Sequence, residues 1–304
     1  AYRNKMQMPV GGIKGNIQMG FYAMGSHDIV QGTNCPIQVE GNNIIAQACY
    51  QIAKEFDIEP YDEHTGKGVL RHVIGRIGQS GWMIILVTAT EHLPHQEKWV
   101  EKLTERVPQV ETIVHNVNGK RTNVILGPKN SVLHGDGTIT DHIKDLRFTL
   151  SPHSFFQVNP EQTTVLYDQA LAYADLKGNE TVIDAYCGTG TISLFLAHKA
   201  KHVIGIEIVE PAIINARENA QRNGYDNTEF IVADAAVEMP KLYKAGVQPD
   251  VIVFDPIRAG CKEEVLTSAA GMEPKRIVYV SCNPATMARD IEILTHYGYE
   301  LQEV

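Results

Sequence analysis

The second half of the chain alternates short apolar runs with helical stretches, and this rhythm constrains the fold more than any other feature. Strands that alternate with helices form a parallel sheet with helices on both faces. An α/β fold with a parallel sheet is therefore predicted here. The predicted order is helix 160–174, strand 181–186, helix 190–200, strand 202–207, helix 210–223, strands 229–233 and 250–254, helix 262–270, strand 276–281 and helix 284–297.

The first half of the chain shows a different pattern. Two apolar runs flank Gly11-Gly12 and the residues after it, which predicts a β-hairpin. Apolar residues recur at helical spacing in 41–57 and 95–107, while 69–77 and 83–88 read as strands. This mixture predicts an α+β region whose strands are mostly antiparallel.

A second hairpin is predicted around Asn118-Gly119, between strands 112–117 and 123–126. The change of rhythm falls near residues 145–160. We therefore predict a smaller α+β domain at 1–150 and an α/β domain at 151–304.

The two parts differ in charge. Residues 1–150 contain 15 Lys or Arg and 15 Asp or Glu, whereas residues 151–304 contain 12 and 21. An acidic total argues against a protein that binds nucleic acid through a broad basic surface. Any contact with nucleic acid would then come from the neutral first part or from a segment outside this sequence.

The five cysteines are Cys35, Cys49, Cys187, Cys261 and Cys282, and none forms a CxxC pair. An odd number without close pairs argues against a disulfide framework and favours a reducing cytoplasm. No apolar run reaches the roughly 20 residues of a membrane span. No membrane partner is predicted.

Acidic residues and glycines stand where the strands of the α/β domain end. Asp184 ends one strand, Gly188 and Gly190 follow it in a turn, and Glu207 and Asp234 end the next two strands. Ligands of open α/β sheets bind at the carboxyl ends of the strands. The pattern predicts a nucleotide-like cofactor, with Glu207 on its ribose hydroxyls and Asp234 near its adenine edge.

Two cofactors compete for this pocket. The turn Gly188-Thr-Gly190-Thr-Ile-Ser193 lacks the third glycine of the pattern that binds dinucleotides. A pyrophosphate has no evident need for Asp184, whereas the cationic end of S-adenosylmethionine tolerates nearby carboxylates. S-adenosylmethionine is therefore favoured, and a tight turn without a ligand is the weaker alternative.

Two further strand ends carry residues suited to catalysis. Asp255 and Arg258 follow the fourth strand, and Arg258 stands where enzymes that methylate exocyclic amines have an aromatic ring. Cys282 follows the fifth strand, and a helix begins at Pro284. A thiolate near a helix N-terminus is a good nucleophile, and its addition to carbon 6 of a uracil makes carbon 5 nucleophilic. The alternative is a buried Cys that only packs.

The α/β domain contains two motifs separated by 16 residues, Asp255-Pro-x-Arg258-Ala-Gly260 and Ile277-Val-Tyr-x-Ser-Cys282-Asn-x-x-Thr286. Together they resemble the signature of the RNA (uracil-C5)-methyltransferases. Ser151-Pro-His-Ser-Phe-Phe-Gln-Val-Asn159 resembles the segment that enters the Rossmann-like methyltransferase domain of this family, and residues 1–45 resemble its central domain. The Gram-positive-type branch that acts on 23S ribosomal RNA is the most similar.

By this resemblance Cys282 is the nucleophile, and Gln157, Tyr186, Glu207 and Asp255 contact S-adenosylmethionine. Asp255 also lies near the uracil edge. The implied substrate is a uridine flipped out of structured RNA, because the face of carbons 5 and 6 is not reachable within a stack. The implied reaction is methylation of carbon 5, followed by loss of its proton and release of the thiol.

The chain departs from the family pattern in three ways. Ile257 replaces a proline or small residue and is expected to loosen the turn that aims Asp255 and Arg258. The family's general base is a Glu in a His-x-Glu segment, and the sequence stops at Val304 before such a segment, so a fragment truncated at both ends is expected. The family often has an OB-like domain and a four-Cys iron–sulfur site. Here only Cys35 resembles a cluster ligand, so neither a cluster nor another metal site is expected.

Three alternatives stay open. The RNA could be a tRNA rather than 23S ribosomal RNA. A related methyltransferase could act on carbon 5 of cytosine or on a small molecule, although neither Cys187 nor Cys261 clearly fits the second cysteine of a cytosine enzyme. The chain could also be a fragment that binds cofactor and RNA without turnover. The sequence predicts no oligomeric state.

Overall fold

The computed structural model describes residues 1–304, with fourteen strands and eight helices. The strands are β1 (Lys5–Ile13), β2 (Asn16–Tyr22), β3 (Ile29–Gln31), β4 (Leu70–Ile77), β5 (Trp82–Thr88), β6 (Val110–Val117), β7 (Lys129–His134), β8 (Ile139–Ile143), β9 (Leu146–Leu150), β10 (Thr181–Ala185), β11 (His202–Glu207), β12 (Thr228–Val232), β13 (Val251–Phe254) and β14 (Arg276–Tyr279). The helices are α1 (Glu40–Glu55), α2 (Gln96–Arg106), α3 (Pro160–Ala174), α4 (Thr191–Ala197), α5 (Glu210–Arg222), α6 (Ala235–Lys244), α7 (Glu263–Gly271) and α8 (Pro284–Thr295). None of the helices combines the length and the apolar character needed to cross a lipid bilayer.

The chain divides into two compact units. The first contains Ala1–Ile143, Thr149–His153 and Gln157–Glu161. The second contains Lys144–Phe148, Ser154–Phe156 and Gln162–Val304.

A seven-stranded sheet forms the first unit, in the order β3-β2-β1-β4-β5-β6-β7. All neighbours are antiparallel except β5 and β6. Helix α2 makes the crossover that a parallel pair requires. The hairpin predicted around Gly11-Gly12 is present as β1 and β2.

Helices α1 and α2 pack on this sheet because each has one apolar side. Ile45 and Ile52 on α1 are seven residues apart, and Trp99 and Leu103 on α2 are four apart, so each pair lies on one side of its helix. All four are fully buried in one core with Met6 of β1. Burial of each such side chain contributes about 1.5–3 kcal/mol.

The hairpin predicted around Asn118-Gly119 is wrong. Residues 118–128 form a loop, and β6 pairs with β7 further along the chain. The carbonyls of this loop accept hydrogen bonds from side chains, whereas in a hairpin they would accept them from a neighbouring strand. The Asn118 amide donates to two of them at 2.7 and 3.0 Å, and buried Arg71 of β4 donates to the carbonyls of Asn118 (2.5 Å) and Lys120 (2.7 Å).

Five parallel strands form the sheet of the second unit, in the order β12-β11-β10-β13-β14. Residues 182–185 of β10 are all buried, which means that both faces of this central strand are covered. Helices α4 and α5 pack on β11 and β12. Helices α6, α7 and α8 contribute to a core with Ile183, Ile206 and Phe254. The predicted α/β fold with a parallel sheet is confirmed.

The strand order of this sheet reverses beside β10. The chain runs outward from β10 to β11 and β12, then returns to β13 on the other side of β10. Such a switch point opens a crevice at the carboxyl ends of the two central strands. In this unit, residues 186–190 after β10 and residues 255–262 after β13 border it.

Helix α6 has no counterpart among the predicted elements. Pro240 lies inside the helix, and because proline lacks a backbone donor it usually ends or kinks a helix. The Asp234 carboxylate caps the helix by accepting from the backbone N–H of Ala236 at 2.9 Å. The cap, together with the burial of Ala235 and Met239, compensates for the proline.

Replacement of Arg71 by Met is expected to destabilise the first unit. Met keeps much of the apolar stem but leaves two loop carbonyls without their donor, which should lower the free energy of unfolding by about 2–3 kcal/mol. Both tryptophans of the chain, Trp82 and Trp99, lie in the first unit. Tryptophan fluorescence in urea therefore measures the change.

The matched control for this variant is Arg121→Met. Arg121 is exposed and donates one hydrogen bond, to the His64 carbonyl at 3.2 Å. Its replacement should change the free energy of unfolding by less than about 0.5 kcal/mol. Equal losses in the two variants would contradict the role given to the buried guanidinium of Arg71.

Candidate active site

The innermost group at the switch point is the carboxylate of Asp184, near the carboxyl end of β10. It is fully buried, and its Oδ2 accepts from the Ser193 hydroxyl at 2.5 Å. Its Oδ1 is buried without a hydrogen-bond partner. Burial raises the pKa of Asp184 to about 7, and the negative charges of Asp255 and Glu207 add to the rise.

The turn after β10 has an unusual backbone. Tyr186, Gly188 and Gly190 all have positive φ, of 77°, 54° and 79°. Such a φ is strained for a residue with a large side chain and often marks a functional site. A Cβ on Gly188 would meet no atom within 4 Å, whereas one on Gly190 would lie 3.1 Å from the Ala216 Cβ. Gly190 therefore allows close packing, and Gly188 leaves open space beside the turn.

Glu207, at the end of β11, braces this turn. One carboxylate oxygen accepts from the backbone N–H of Gly188 at 3.2 Å and the other from that of Val209 at 2.9 Å. The side chains of Ile208 and Val209 are 62% and 50% exposed. Sequence reasoning overlooked this apolar pair, although its position directly after a strand-end Glu was a usable signal.

Asp234 ends up with both carboxylate oxygens engaged. One caps α6, and the other pairs with the Lys262 ammonium at 3.0 Å. The cap and Lys262 lower the pKa of Asp234. Lys262 was not among the predicted site residues. An adenine edge at Asp234 would therefore share the carboxylate with this lysine.

Asp255 follows β13, directly beside the end of β10. It is half-buried, and burial raises its pKa to about 6. The pairing of β13 with the neighbouring strand β14 extends one residue beyond β14, because the Val280 N–H donates to the Phe254 carbonyl at 2.8 Å. The residues that follow β13 and β14 are thereby kept side by side.

Cys282 is the one exposed cysteine of the five. It directly precedes Asn283, whose side chain caps α8 by accepting from the Ala285 N–H at 3.2 Å. The Asn283 amide donates to the carbonyl of Arg258 at 3.0 Å, and the Thr286 hydroxyl donates to the same oxygen at 3.2 Å. The turn of Cys282 is therefore bonded to the loop of Asp255, and the alternative of a buried, packing cysteine is excluded.

The remaining predicted residues are Arg258, Gln157 and Cys35. Arg258 is on the bonded loop, with an exposed side chain. Gln157 belongs to the first unit and is half-buried. Cys35 is also half-buried, and no group of three or more His, Cys, Asp or Glu side chains could hold a metal ion.

Comparison with known proteins finds relatives that share one description. The chain is 52% identical over 305 residues to a protein of Halalkalibacterium halodurans described as an uncharacterized RNA methyltransferase, covering 100% of this chain and 67% of that protein. It is 49% identical to another described in the same words, from Caldanaerobacter subterraneus, covering 100% and 68%. The chain thus spans about two thirds of the length of these relatives.

The second unit also matches a family of domains. Residues 176–297 match a methyltransferase domain. Among solved structures, the chain is similar to Pyrococcus abyssi tRNA (uracil-54, C5)-methyltransferase in complex with S-adenosyl-L-homocysteine, with a TM-score of 0.78 and 26% identity over 96% of this chain and 69% of that one.

Asp184→Asn is expected to stabilise the second unit at neutral and higher pH. The folded-state pKa of about 7 lies above the unfolded value of about 3.9. The folded state therefore binds the extra proton between these values, and the free energy of unfolding falls as pH rises through them. Asn can still accept from Ser193 but has no charge to bury, so its advantage should grow from about pH 5 to about pH 8.

Calorimetric unfolding at these two pH values measures this advantage. Asp250→Asn is the control with the opposite sign, because Lys275 lowers the pKa of Asp250. The stability from that ion pair is present at high pH and lost as pH falls. A pH-independent difference between Asp184→Asn and the parent protein would contradict the buried-charge argument.

Proposed function

Because the chain belongs to the RNA methyltransferase family, we propose that it methylates carbon 5 of a uridine in structured RNA, with Cys282 as the covalent nucleophile. The observation that carries the proposal is the bonded pair of segments at the switch point. The only exposed cysteine precedes the cap of α8, and that cap donates to the Arg258 carbonyl, three residues after Asp255. The proposed substrate is 23S ribosomal RNA, and this role implies a cytoplasmic location.

The second unit has the fold of S-adenosylmethionine-dependent methyltransferases, and its residues fit that cofactor. The carboxylates of Asp184, Asp255 and Glu207 make the electrostatic potential at this place more negative. The Asp184 Oδ1 has no hydrogen-bond partner. A ligand with a sulfonium and an ammonium group offsets such charges. Open space at Gly188 lets a ligand approach the turn.

We assign the cofactor contacts accordingly. Glu207, at the end of β11, would bind the ribose hydroxyls, and Asp234 would lie near the adenine edge. Tyr186 is a further proposed contact. When bound, S-adenosylmethionine supplies an electrophilic methyl group to carbon 5 of the pyrimidine.

The protein's own part in the reaction begins with Cys282. Its thiolate adds to carbon 6 of the uracil, and the electron pair of the 5,6 double bond moves toward carbon 5 and the carbon-4 oxygen. After methylation, carbon 5 loses its proton to a base, for which the resemblance points to a glutamate of a His-x-Glu segment. The double bond reforms and expels the thiolate. Asp255 and Arg258 are proposed to hold the uracil edge during these steps.

A tRNA is the second candidate substrate, favoured by one observation. The solved structure that is similar over 96% of this chain acts on uracil 54 of tRNA. The chemistry at Cys282 would be the same, and only the RNA that presents the uridine would differ.

Binding of S-adenosylmethionine should strengthen as pH rises. The pKa values of Asp255 and Asp184, at about 6 and about 7, leave both carboxyls largely neutral at low pH, where they attract a cation least. The dissociation constant should fall by about 10-fold between about pH 5.5 and about pH 7.5. Titration calorimetry measures it.

Two variants test the origin of this pH dependence. Asp255→Asn should make the profile shallower, because Asp184 is then the one carboxylate of the pair that still titrates, whereas Asp250→Asn, at the opposite end of β13, should leave the profile intact. A dissociation constant that does not change with pH in the parent protein would exclude these carboxylates as the cation site.

A covalent adduct with RNA that contains 5-fluorouridine tests the nucleophile. Fluorine cannot leave as a proton, so the adduct should accumulate even without the general base. Intact-protein mass spectrometry of the full-length protein, mixed with S-adenosylmethionine and the RNA, should show a methylated adduct mapping to Cys282. Cys282→Ala should form none, and Cys35→Ala should react like the parent protein.

The same trap separates the candidate substrates. Adducts with 23S ribosomal RNA fragments but not with tRNA transcripts would support the primary proposal, and the reverse would favour tRNA. An adduct that persists in Cys282→Ala would overturn the assigned nucleophile. No adduct with either RNA, in protein that binds S-adenosylmethionine, would count against uridine C5 chemistry.

A further inference from the structure

A buried carboxylate lies beside the candidate active site and has no part in the function proposed above. Asp290, on α8, is 0% exposed. Its Oδ2 accepts from the backbone N–H of Cys261 at 2.7 Å and from the Tyr279 hydroxyl at 2.6 Å. Its Oδ1 accepts from Nε and Nη2 of Arg289 at 2.8 and 2.6 Å. This single side chain therefore joins β14, the loop after β13 and α8.

Arg289 extends the same connection to the loop backbone. Its Nη2 also donates to the carbonyls of Ala259 at 3.0 Å and Cys261 at 3.2 Å. Asp290 thus accepts a hydrogen bond from one N–H of the loop, and Arg289 donates to two carbonyls of the same loop. With the bonds to the Arg258 carbonyl described above, every residue from 258 to 261 except Gly260 is bonded to a side chain of α8 or to the residue that caps it.

Gly260 shows how closely the loop lies against the helix. Its φ is +76°, and a Cβ there would lie 2.6 Å from both the Asp290 Oδ2 and the Arg289 Nη2. Its N–H donates to the Ile257 carbonyl at 2.8 Å and closes the turn. This closure and the contact with α8 both restrain the turn.

Stability alone explains the buried carboxylate poorly. Removal of a charge from water costs several kcal/mol, and an apolar side chain of similar size is often at least as stabilising. What an apolar side chain cannot do is accept hydrogen bonds from a chosen backbone N–H and a chosen hydroxyl. The arrangement therefore favours one position of the loop over others.

We propose that Asp290 is a positioning residue for methyl transfer, which locks the loop of Asp255 and Arg258 to the helix whose capping residue follows Cys282. The proposal rests on the function proposed above. Rigid placement matters because a displacement of about 1 Å at a reacting centre can cost about 100-fold in rate. Asp290 and Arg289 would act only through the loop, without touching the substrate.

Hydrogen exchange in the full-length protein tests the lock itself. In Asp290→Asn, one carbonyl oxygen cannot serve both Cys261 and Arg289, so amide exchange over residues 256–262 should accelerate by about 10-fold or more. Tyr279→Phe removes one donor without touching α8 and should cause a smaller acceleration in the same segment. Tyr299→Phe is the matched control, because its hydroxyl donates at 2.9 Å to the Pro274 carbonyl, away from this loop.

Steady-state kinetics then test the consequence for the reaction. For Asp290→Asn, kcat should fall by about 10- to 100-fold while KM for RNA and for S-adenosylmethionine stays within about threefold, the pattern of a misplaced catalytic group. Tyr279→Phe should show a smaller fall of the same kind, and Tyr299→Phe should match the parent protein. A merely structural role would instead lower the amount of folded protein and leave kcat per folded molecule unchanged.

The two measurements distinguish the two proposals. Loop exchange that is unchanged in Asp290→Asn overturns the lock, and so does faster exchange with kcat equal to that of Tyr299→Phe. If the parent protein transfers no methyl group to uridine, the proposed function fails. Hydrogen exchange alone then tests whether Asp290 fixes the loop, and unchanged exchange in Asp290→Asn still overturns the lock.

Discussion

Parallel pairing of five strands, with the order reversed beside β10, is the constraint on which the candidate active site depends. Parallel strands end at one edge of a sheet, so residues far apart in sequence are brought to the same place. Asp184 and Asp255 are 71 positions apart by their numbers, yet each belongs to the end of a central strand. Burial of both sheet faces keeps these strands in place, because consecutive apolar residues of β10 are buried on both sides of the sheet.

This convergence has an electrostatic cost. Carboxylates near the ends of β10, β11 and β13 repel one another, and burial raises the pKa values of Asp184 and Asp255 well above the ordinary range. A chain selected only for stability would avoid such a group. In the proposed function a cationic cofactor would relieve this repulsion, so the same carboxylates that destabilise the sheet would favour binding of S-adenosylmethionine. The strained backbone of Tyr186 lies in the same turn.

Helix α8 connects this pocket with Cys282, the proposed nucleophile. Its capping residue follows Cys282, and its first two turns bind the loop that begins at Asp255. One helix therefore sets the distance between the two groups that the proposed reaction requires. The 16 residues that separate the two sequence motifs are bridged by hydrogen bonds of the folded chain.

Local patterns in the sequence determined most elements of the second unit, the glycine turn and the strand-end positions of Asp184, Glu207, Asp255 and Cys282. Apolar periodicity and turn residues act over short distances, which is why these predictions succeed. Tertiary structure decided the rest. The loop at 118–128 replaced a hairpin because a buried arginine from another strand binds its carbonyls. Helix α6 formed despite Pro240 because a cap and burial support it. Lys262, which pairs with Asp234, and Cys261, which donates to Asp290, lie 28 and 29 positions from these carboxylates, and contacts at that range leave no periodic signal in a single sequence.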